Sequence, residues 1–369
     1  MAEDSSKVVI QSRLESFFIQ PINDNVTYRQ EFSASVIQED RKNPGNIIAA
    51  FEGQLVFFWG DGTPRHIIGT HPQCGFREGG LSEVQFCNIS GLAQLESPEI
   101  IIADTGNHCL RKYDLLNWNI TSYGGECSND TSLNNSTNCQ WTDGPLNSTS
   151  FCSPSTLQYV QSQKQILVLD TKESTNESAI LVIDHDNVTI STLYKADFVI
   201  NDFKYHEKDN TLILASVNGS LLRVSLSEEY PMVEDIFADA GFRNHCSASI
   251  NYNNVLWVKS MKAKRFMEIN GLYVVSDANS RDVLLLDPHN DIYVPLSLQI
   301  KDSFATSITD PVSLAYVDSY LYISNTLIIT PSLESDRQLQ INRVAMSVSP
   351  NYTVPDHCFL GCCEGEYFV

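Results

Sequence analysis

The chain has 369 residues, of which 42% are hydrophobic and 10% aromatic, which is enough for one large core or two domains of ordinary size. Its formal net charge of −21 arises from 45 acidic and 24 basic residues, and this balance argues against a nucleic-acid phosphate backbone as partner. No apolar run approaches the roughly 18 residues of a membrane helix, so we expect no membrane span within this chain.

One sequence pattern recurs along the chain: a short apolar strand runs into an acidic turn, and a second strand follows. Ile100–Asp114 carries it most clearly, and Leu167–Asp184 and Val274–Asp287 repeat it. A recurring unit of this size, built of short strands, indicates a β-propeller. The predicted strands, blade by blade, are Ser35–Ile37, Asn46–Ala50, Gln54–Phe58 and His66–Ile68; Gly91–Leu95, Ile100–Ala103, Cys109–Tyr113 and Asn119–Tyr123; Thr156–Val160, Ile166–Leu169, Ile180–Ile183 and Val188–Leu193; Asp202–Tyr205, Thr211–Ala215, Leu221–Ser225 and Val233–Phe237; Val255–Val258, Leu272–Val275, Val283–Leu286 and Asp291–Leu296; Ser313–Val317, Leu321–Ser324 and Leu339–Ala345.

The predicted fold class is therefore all-β, a six-bladed β-propeller with four-stranded antiparallel blades and no long helix. The outer strand of the sixth blade is either Tyr352–Val354 or the N-terminal Ser16–Gln20. The N-terminal choice would close the ring and remove exposed sheet edges. We divide the chain into an N-terminal segment (1–32), the propeller (33–354) and a cysteine-rich tail (355–369) that begins a further module.

The turn of the second blade resembles the repeat of the NHL family, in which Asp-x-x-Asn is followed by Arg and an apolar strand. Asp104–Asn107 with Arg111–Tyr113 matches this pattern closely, Asp277–Asn279 matches it partly, and Asp170 keeps only the acid. The resemblance implies a six-bladed propeller. Related propellers are mostly binding platforms for protein, RNA or glycan, and a minority are lyases or lactonases.

The acids Asp104, Asp170 and Asp277 have two interpretations. An acid at the start of a tight turn accepts backbone N–H bonds, and Gly106 would then supply a positive φ. Alternatively, the three carboxylates converge near the axis of the ring and hold a structural calcium ion, which prefers six to eight oxygen ligands. No other cofactor is predicted.

The ten cysteines predict a set of disulfides. Two pairs share a spacing of thirteen residues, which suggests that each closes an equivalent loop between blades, and a third pair flanks the hairpin of blade two. The predicted pairs are Cys74–Cys87, Cys139–Cys152 and Cys109–Cys127. Cys246 would pair with Cys358, Cys362 or Cys363, and the alternative is a zinc site formed with His245 and His357.

Eleven Asn-x-Ser/Thr sequons, several times the number expected by chance, together with the cysteines predict an extracellular or secreted glycoprotein. The first residues show no signal-peptide pattern, so we expect that a signal was removed or that this is part of a longer chain. The sequons lie at Asn25, Asn88, Asn119, Asn129, Asn134, Asn135, Asn147, Asn176, Asn187, Asn218 and Asn351.

A basic cluster lies in a predicted insertion, Lys259–Glu268, and stands out against the charge of the chain. It could meet an acidic glycan or an acidic patch on another copy, and the alternative is a solvated loop. Its cations are Lys259, Lys262, Lys264 and Arg265.

No motif of a nucleophilic hydrolase, a zinc protease or a phosphate-binding loop is present, so no catalytic residue is predicted. His108 and His185 occupy comparable turns, and amidating lyases of this fold use histidines from their blades. The sequence favours a non-catalytic extracellular module that presents its loops to a protein or glycan partner, or that self-associates. A metal-dependent propeller enzyme and the ectodomain of a membrane receptor are the alternatives.

Overall fold

The computed structural model describes residues 8–19, 34–51, 53–70, 74–127, 139–227, 231–236, 261–287, 292–296, 311–325 and 339–348. These residues form small antiparallel β-sheets joined by turns, with only single 3-10 turns as helical structure. The fold is an all-β six-bladed propeller, as the sequence predicts. Within the same ranges, the structure contains no helix with the length and apolar character that crossing a bilayer requires.

The strands are short and follow the predicted order closely. In chain order they are β1 (Val8–Ile19), β2 (Val36–Glu39), β3 (Ile47–Phe51), β4 (Gln54–Phe58), β5 (Pro64–Ile68), β6 (Gly79–Gly80), β7 (Ile89–Gln94), β8 (Glu99–Asp104), β9 (Cys109–Asp114), β10 (Asn119–Gly124), β11 (Gly144–Pro145), β12 (Pro154–Val160), β13 (Gln165–Lys172), β14 (Glu177–Asp184), β15 (Thr189–Ala196), β16 (Ile200–His206), β17 (Thr211–Ser216), β18 (Leu221–Ser225), β19 (Met232–Asp235), β20 (Ala263–Ile269), β21 (Leu272–Asp277), β22 (Asp282–Asp287), β23 (Ile292–Pro295), β24 (Pro311–Val317), β25 (Tyr320–Asn325) and β26 (Leu339–Val348).

Most neighbouring strands in a sheet are consecutive in the chain, and β1, β6 and β11 pair with strands that are more distant in sequence. Their orders are β2-β3-β4-β5, β6-β10-β9-β8-β7, β11-β15-β14-β13-β12, β16-β17-β18-β19, β20-β21-β22-β23 and β1-β26-β25-β24. The second strand of a blade is buried along almost its whole length, as in β3, β8, β17 and β21. Such strands are covered on both faces, which is why they read as continuous apolar runs in the sequence.

The N-terminal strand β1 supplies the outer strand of the sixth blade, where the sequence left two candidates open. It pairs antiparallel with β26, with Val8 opposite Val348 and Ile19 opposite Leu339. Two buried hydrogen bonds tie the following segment to the same blade: the Ser324 hydroxyl donates to the Ala34 carbonyl at 2.6 Å, and the Ile37 N–H donates to the Ser313 hydroxyl at 3.0 Å.

The chain divides into two compact units, each with its own core. One comprises Gln38–Leu214 and Ser225–Glu229, and its core contains Ile101, Phe151 and Val168. The other holds the remaining described residues. Its core is built from the fifth and sixth blades and contains Val274, Leu285, Ile323 and Val344.

The first strand of the fifth blade differs from the prediction. The predicted strand, Val255–Val258, lies outside the described residues, and the first strand is Ala263–Ile269, where the sequence suggested a basic loop. Its buried side chains are Ala263, Phe266 and Ile269, and a bulge after Ala263 shifts the register of its pairing with β21. A bulge breaks the alternation of period two by which a strand is recognised.

Candidate functional site

The family-like turn of the second blade forms a buried polar cluster. The Arg111 guanidinium and the Asp104 carboxylate form a salt bridge of 3.0 Å, and neither side chain is exposed. Asp104 also accepts the Asn107 side-chain amide at 2.8 Å and the Cys87 N–H at 2.7 Å. Burial raises the pKa of Asp104 to about 6, and the bonds from Asn107, Cys87 and Arg111 oppose that rise.

This cluster holds the disulfide loop Cys74–Cys87 against the blade. Arg111 donates to the Arg77 carbonyl at 2.9 Å and to the Gln85 carbonyl at 3.3 Å. Its guanidinium lies 4.6 Å from the centre of the Phe76 ring, which belongs to the same loop. The Asp-x-x-Asn…Arg pattern therefore has a structural role here, because Asp104 and Arg111 both bond to backbone groups of the loop.

Gly106 is required in this turn for a reason other than the predicted positive φ. The left-handed residue is His108, with φ 56°. A Cβ on Gly106 would lie 2.5 Å from the Cys87 sulfur and 2.7 Å from the Cys87 carbonyl oxygen. The prediction of a positive φ was wrong. The glycine instead permits the end of the disulfide loop, at Cys87, to approach the turn closely.

Asp170 repeats this role in the third blade without an arginine. Its carboxylate accepts the Cys152 N–H at 2.9 Å, the Ser153 N–H at 2.6 Å and the Trp141 indole N–H at 2.9 Å. Burial raises the pKa of Asp170 to about 6, and these donors oppose the rise. The carboxylate therefore holds the loop Cys139–Cys152 as Asp104 holds the loop before it.

The two disulfide loops are copies of one fourteen-residue unit, CGFREGGLSEVQFC at 74–87 and CQWTDGPLNSTSFC at 139–152. The sequence analysis saw the equal cysteine spacing and missed the aromatic, acid, glycine, leucine and phenylalanine that also coincide. Each acid bonds to the fourth long strand of its blade. Glu78 accepts the Ser122 N–H of β10 at 2.7 Å, and Asp143 accepts the Thr192 N–H of β15 at 2.9 Å.

The glycine after each acid begins a short fifth strand. Gly79 lies opposite Ile120 of β10, and Gly144 lies opposite Ile190 of β15. Each disulfide loop thus covers the outer edge of its own blade, which protects the edge from pairing with another chain.

Asp277, the third candidate metal ligand, is buried and accepts backbone N–H groups of its own blade. These are Lys262 at 2.5 Å, Asn279 at 3.2 Å and Ser280 at 2.8 Å. Asp104, Asp170 and Asp277 thus occupy turn positions of the kind that the structural interpretation requires. Among the described residues, no group of three or more His, Cys, Asp or Glu side chains is placed to hold a metal ion.

The three disulfides that involve described cysteines are those predicted. They join Cys74 to Cys87, Cys109 to Cys127 and Cys139 to Cys152. They are consistent with an extracellular protein. The four remaining cysteines, Cys246, Cys358, Cys362 and Cys363, and with them His245 and His357 of the alternative zinc site, lie outside the described residues.

Most sequons within the described ranges are exposed. Asn88 and Asn176 stand in the left-handed conformation, and Asn119 is half-buried at the start of β10. The exposed ones are Asn88, Asn147, Asn176, Asn187 and Asn218. Asn25, Asn129, Asn134, Asn135 and Asn351 lie outside the described residues.

The two histidines weighed as enzyme residues lie in different surroundings. The His108 Nδ1 contacts the Cys152 carbonyl oxygen, so this ring bridges two blades. The His185 Nδ1 lies 2.8 Å from the Tyr123 hydroxyl, and its Nε2 lies 3.5 Å from the Glu99 carboxylate. These contacts link neighbouring blades and place the two histidines in separate clusters.

The predicted basic loop is largely strand. Lys264 and Arg265 are half-buried on β20, Lys262 is exposed immediately before it, and Lys259 lies outside the described residues. The Arg265 N–H donates to the Ser276 hydroxyl at 3.0 Å. The prediction of a loop between 263 and 268 was therefore wrong, and its role in partner binding stays a prediction.

A different surface combines exposed apolar and basic side chains. In the unit that contains blades one to three, outer hairpins expose Trp59 by 46%, Leu116 by 71% and Trp118 by 44%. Arg65 lies over the Trp59 ring with 4.9 Å from its guanidinium carbon to the ring centre. His66 meets Trp118 edge-on at 5.3 Å.

Two hairpins and one loop build this surface. A bulge in the pairing of β4 with β5 falls at Arg65, and bulges re-aim side chains. The loop between β2 and β3 lies beside the hairpin, because the Gly60 N–H donates to the Asn46 side chain at 2.9 Å. That loop contributes the exposed Arg41 and Lys42. We call the set the aromatic–basic surface: Arg41, Lys42, Trp59, Arg65, His66, Leu116 and Trp118.

The electrostatics of the aromatic–basic surface follow from Asp40. This carboxylate is buried, lies 3.8 Å from the Arg65 guanidinium, and accepts the Lys42 N–H at 3.1 Å and the Asn43 side-chain amide at 2.9 Å. Burial, and then the charge of Arg65, lower the pKa of His66. Sequence reasoning missed this surface because its residues come from three segments, although two tryptophans beside hairpin turns were a visible signal.

Comparisons with known proteins support the fold. No family model matches the sequence, and no curated protein is significantly similar to it. A solved structure described as a putative gluconolactonase is 10% identical, covers 92% of this chain and 94% of its own, and has a TM-score of 0.54. A chain of a nidogen/laminin complex and a streptogramin B lyase, each 10% identical with a TM-score of 0.48, cover 82% and 91% of this chain and 98% of their own. At this identity the likeness concerns the fold alone, which is that of a six-bladed β-propeller.

Proposed function

We propose that the protein is an extracellular, N-glycosylated propeller of the NHL type that acts as a non-catalytic binding or assembly module, using the aromatic–basic surface to engage a protein or glycan. The observation that carries the proposal is the exposure of Trp59 and Trp118 beside Arg65. Tryptophan and arginine dominate binding energy at interfaces, and a soluble protein rarely exposes such a cluster without use.

The scaffold supports a binding role. Trp59 and Trp118 lie at the ends of strands whose inner neighbours are buried, and Phe57 packs against Tyr113 at 6.4 Å between the two hairpins. Side chains placed on a rigid frame lose little freedom on binding, which favours affinity.

The test uses the full chain secreted from a glycosylating host and an array of purified extracellular glycans and matrix proteins, including laminin, fibronectin and collagen. We expect binding to at least one member and loss of that binding in Trp59→Ala/Trp118→Ala. The matched control is Val217→Ala, which truncates another exposed apolar side chain in a different hairpin.

Binding that survives the double substitution would overturn the proposal, and so would failure to bind any member of the array. Hydrolysis of a panel of lactones or peptidyl-α-hydroxyglycine substrates by the same preparation would favour the enzyme instead. The thermal unfolding midpoint of each variant establishes that the substitutions leave the fold intact.

A further inference from the structure

We infer that the ligand of the aromatic–basic surface is an acidic oligosaccharide, that is, a glycan whose pyranose rings carry carboxylate or sulfate groups. The inference rests on the function proposed above and adds the chemistry of the ligand. It comes from the juxtaposition of exposed indole rings with a fixed guanidinium and two further cations.

The cations next to the indoles are available to an anion. Arg41 and Lys42 are exposed, and Arg65 is held in place over Trp59 with Asp40 at 3.8 Å. The buried Asp40 carboxylate offsets one of these three positive charges, and the exposed Arg41 and Lys42 leave the group cationic. A guanidinium held by stacking presents its N–H donors in a planar fork that suits carboxylate and sulfate.

The neighbouring carboxylates bond to backbone groups of their own turns. The exposed Asp61 carboxylate accepts the Thr63 N–H at 2.9 Å within its own turn, and the Lys42 ammonium donates to the Glu96 carbonyl at 2.7 Å. Asp114 holds the turn of the next hairpin by accepting the Leu116 N–H at 2.8 Å. In a chain of charge −21, this cluster of cations complements an acidic ligand.

The pairing of indole with guanidinium favours a saccharide over an acidic peptide. A pyranose ring offers a face of C–H groups about as wide as an indole ring, with its carboxylate or sulfate attached to the same ring. An aspartate or glutamate side chain carries the same charge on one or two methylene groups, so it covers little of an indole. Trp59 and Arg65 therefore match the alternation of apolar face and anion within one sugar residue.

The test measures binding of the secreted full chain to three probes by biolayer interferometry. The probes are a heparin-derived hexasaccharide, the same hexasaccharide after desulfation, N-acetylation and carboxyl reduction, and a glutamate peptide of the same charge as the first. We expect binding of the acidic hexasaccharide that weakens with salt, and at least tenfold weaker binding of the other two probes.

Three substitutions report on the surface. Trp59→Ala and Arg65→Gln should each weaken hexasaccharide binding about tenfold or more. Arg65→Lys should weaken binding less than Arg65→Gln, because lysine keeps the positive charge although it lacks the planar N–H donors of the guanidinium. The control Lys164→Gln removes a cation from a hairpin of another blade and should bind normally.

The outcomes separate this inference from the proposed function. Equal or tighter binding of the glutamate peptide would overturn the saccharide and indicate an acidic protein partner. Equal binding of the neutral hexasaccharide would overturn the anionic requirement. Absence of hexasaccharide binding, with Trp59-dependent binding elsewhere on the array, would overturn the inference alone, whereas loss of all array binding would overturn both.

Discussion

Asp104 and Arg111 face one another at 3.0 Å with neither side chain exposed, and both bond to the disulfide loop that closes over them. Removing one charge from such a pair leaves the other buried without a partner. We expect Arg111→Met to lower the free energy of unfolding by about 3–5 kcal/mol. The double substitution Asp104→Asn/Arg111→Met should recover part of that loss, and urea denaturation measures both.

The control for this pair is the exposed ion pair of Lys164 with Asp186 at 2.9 Å. Lys164→Met should leave the denaturation midpoint nearly unchanged, because exposed pairs are screened by solvent. Equal losses in Arg111→Met and Lys164→Met would contradict the structural role of the buried pair.

Gly106 and Gly80 make a matched pair for testing the close approach of the disulfide loop. A Cβ at Gly106 would meet Cys87 at 2.5 Å, whereas a Cβ at Gly80 has no neighbour within 4 Å. Gly106→Ala should lower the thermal unfolding midpoint by several degrees, and Gly80→Ala should leave it unchanged or raise it slightly. Calorimetry of both variants measures the two midpoints, and indistinguishable midpoints would argue against a need for glycine at 106.

Asp170 should make stability depend on pH. Burial raises its pKa from 3.8 to about 6 in the folded chain, so between these values the folded state binds more protons than the unfolded state. The free energy of unfolding should therefore fall as pH rises from about 4 to about 6, by up to about 3 kcal/mol from this group. Asp104 acts in the same direction, so Asp170→Asn should flatten the slope without abolishing it.

Urea denaturation at a series of pH values between 4 and 7 measures this slope. Asp170→Asn should also be less stable throughout, because an amide replaces one of the oxygens that accept the Cys152 and Ser153 N–H groups. A slope identical to that of the unmodified chain would show that Asp170 titrates below this range.

The sequence predicted the blades well because their second strands are buried on both faces and read as apolar runs. Ile100–Ala103 and Leu272–Val275 are examples, and both lie within the observed strands. The prediction missed the first strand of blade five, because the bulge after Ala263 interrupts the alternation of buried and exposed residues where a lysine and an arginine follow. Contacts between distant segments, such as His66 with Trp118, leave no local pattern.

Asn187 and Asn119 allow a specific test of glycosylation, because each lies at or next to the turn between the third and fourth long strands of a blade. Asn187 is exposed, whereas Asn119 is half-buried and pairs through its backbone with Asp114 and Gly80. In chain secreted from a glycosylating host, we expect high occupancy at Asn187 and lower occupancy at Asn119. Enzymatic deglycosylation in heavy-oxygen water followed by peptide mass spectrometry gives both values, and a reversed order would contradict the exposure argument.

The pairing of β1 with β26 also affects the order of folding during synthesis. Val8 leaves the ribosome early, yet its partner Val348 is made only after five blades have been translated. The four main strands of blades two and three pair within their own blade and can form while synthesis continues. Until β26 is made, β1 has no partner strand in the sixth blade, so this blade can form only at the end of synthesis.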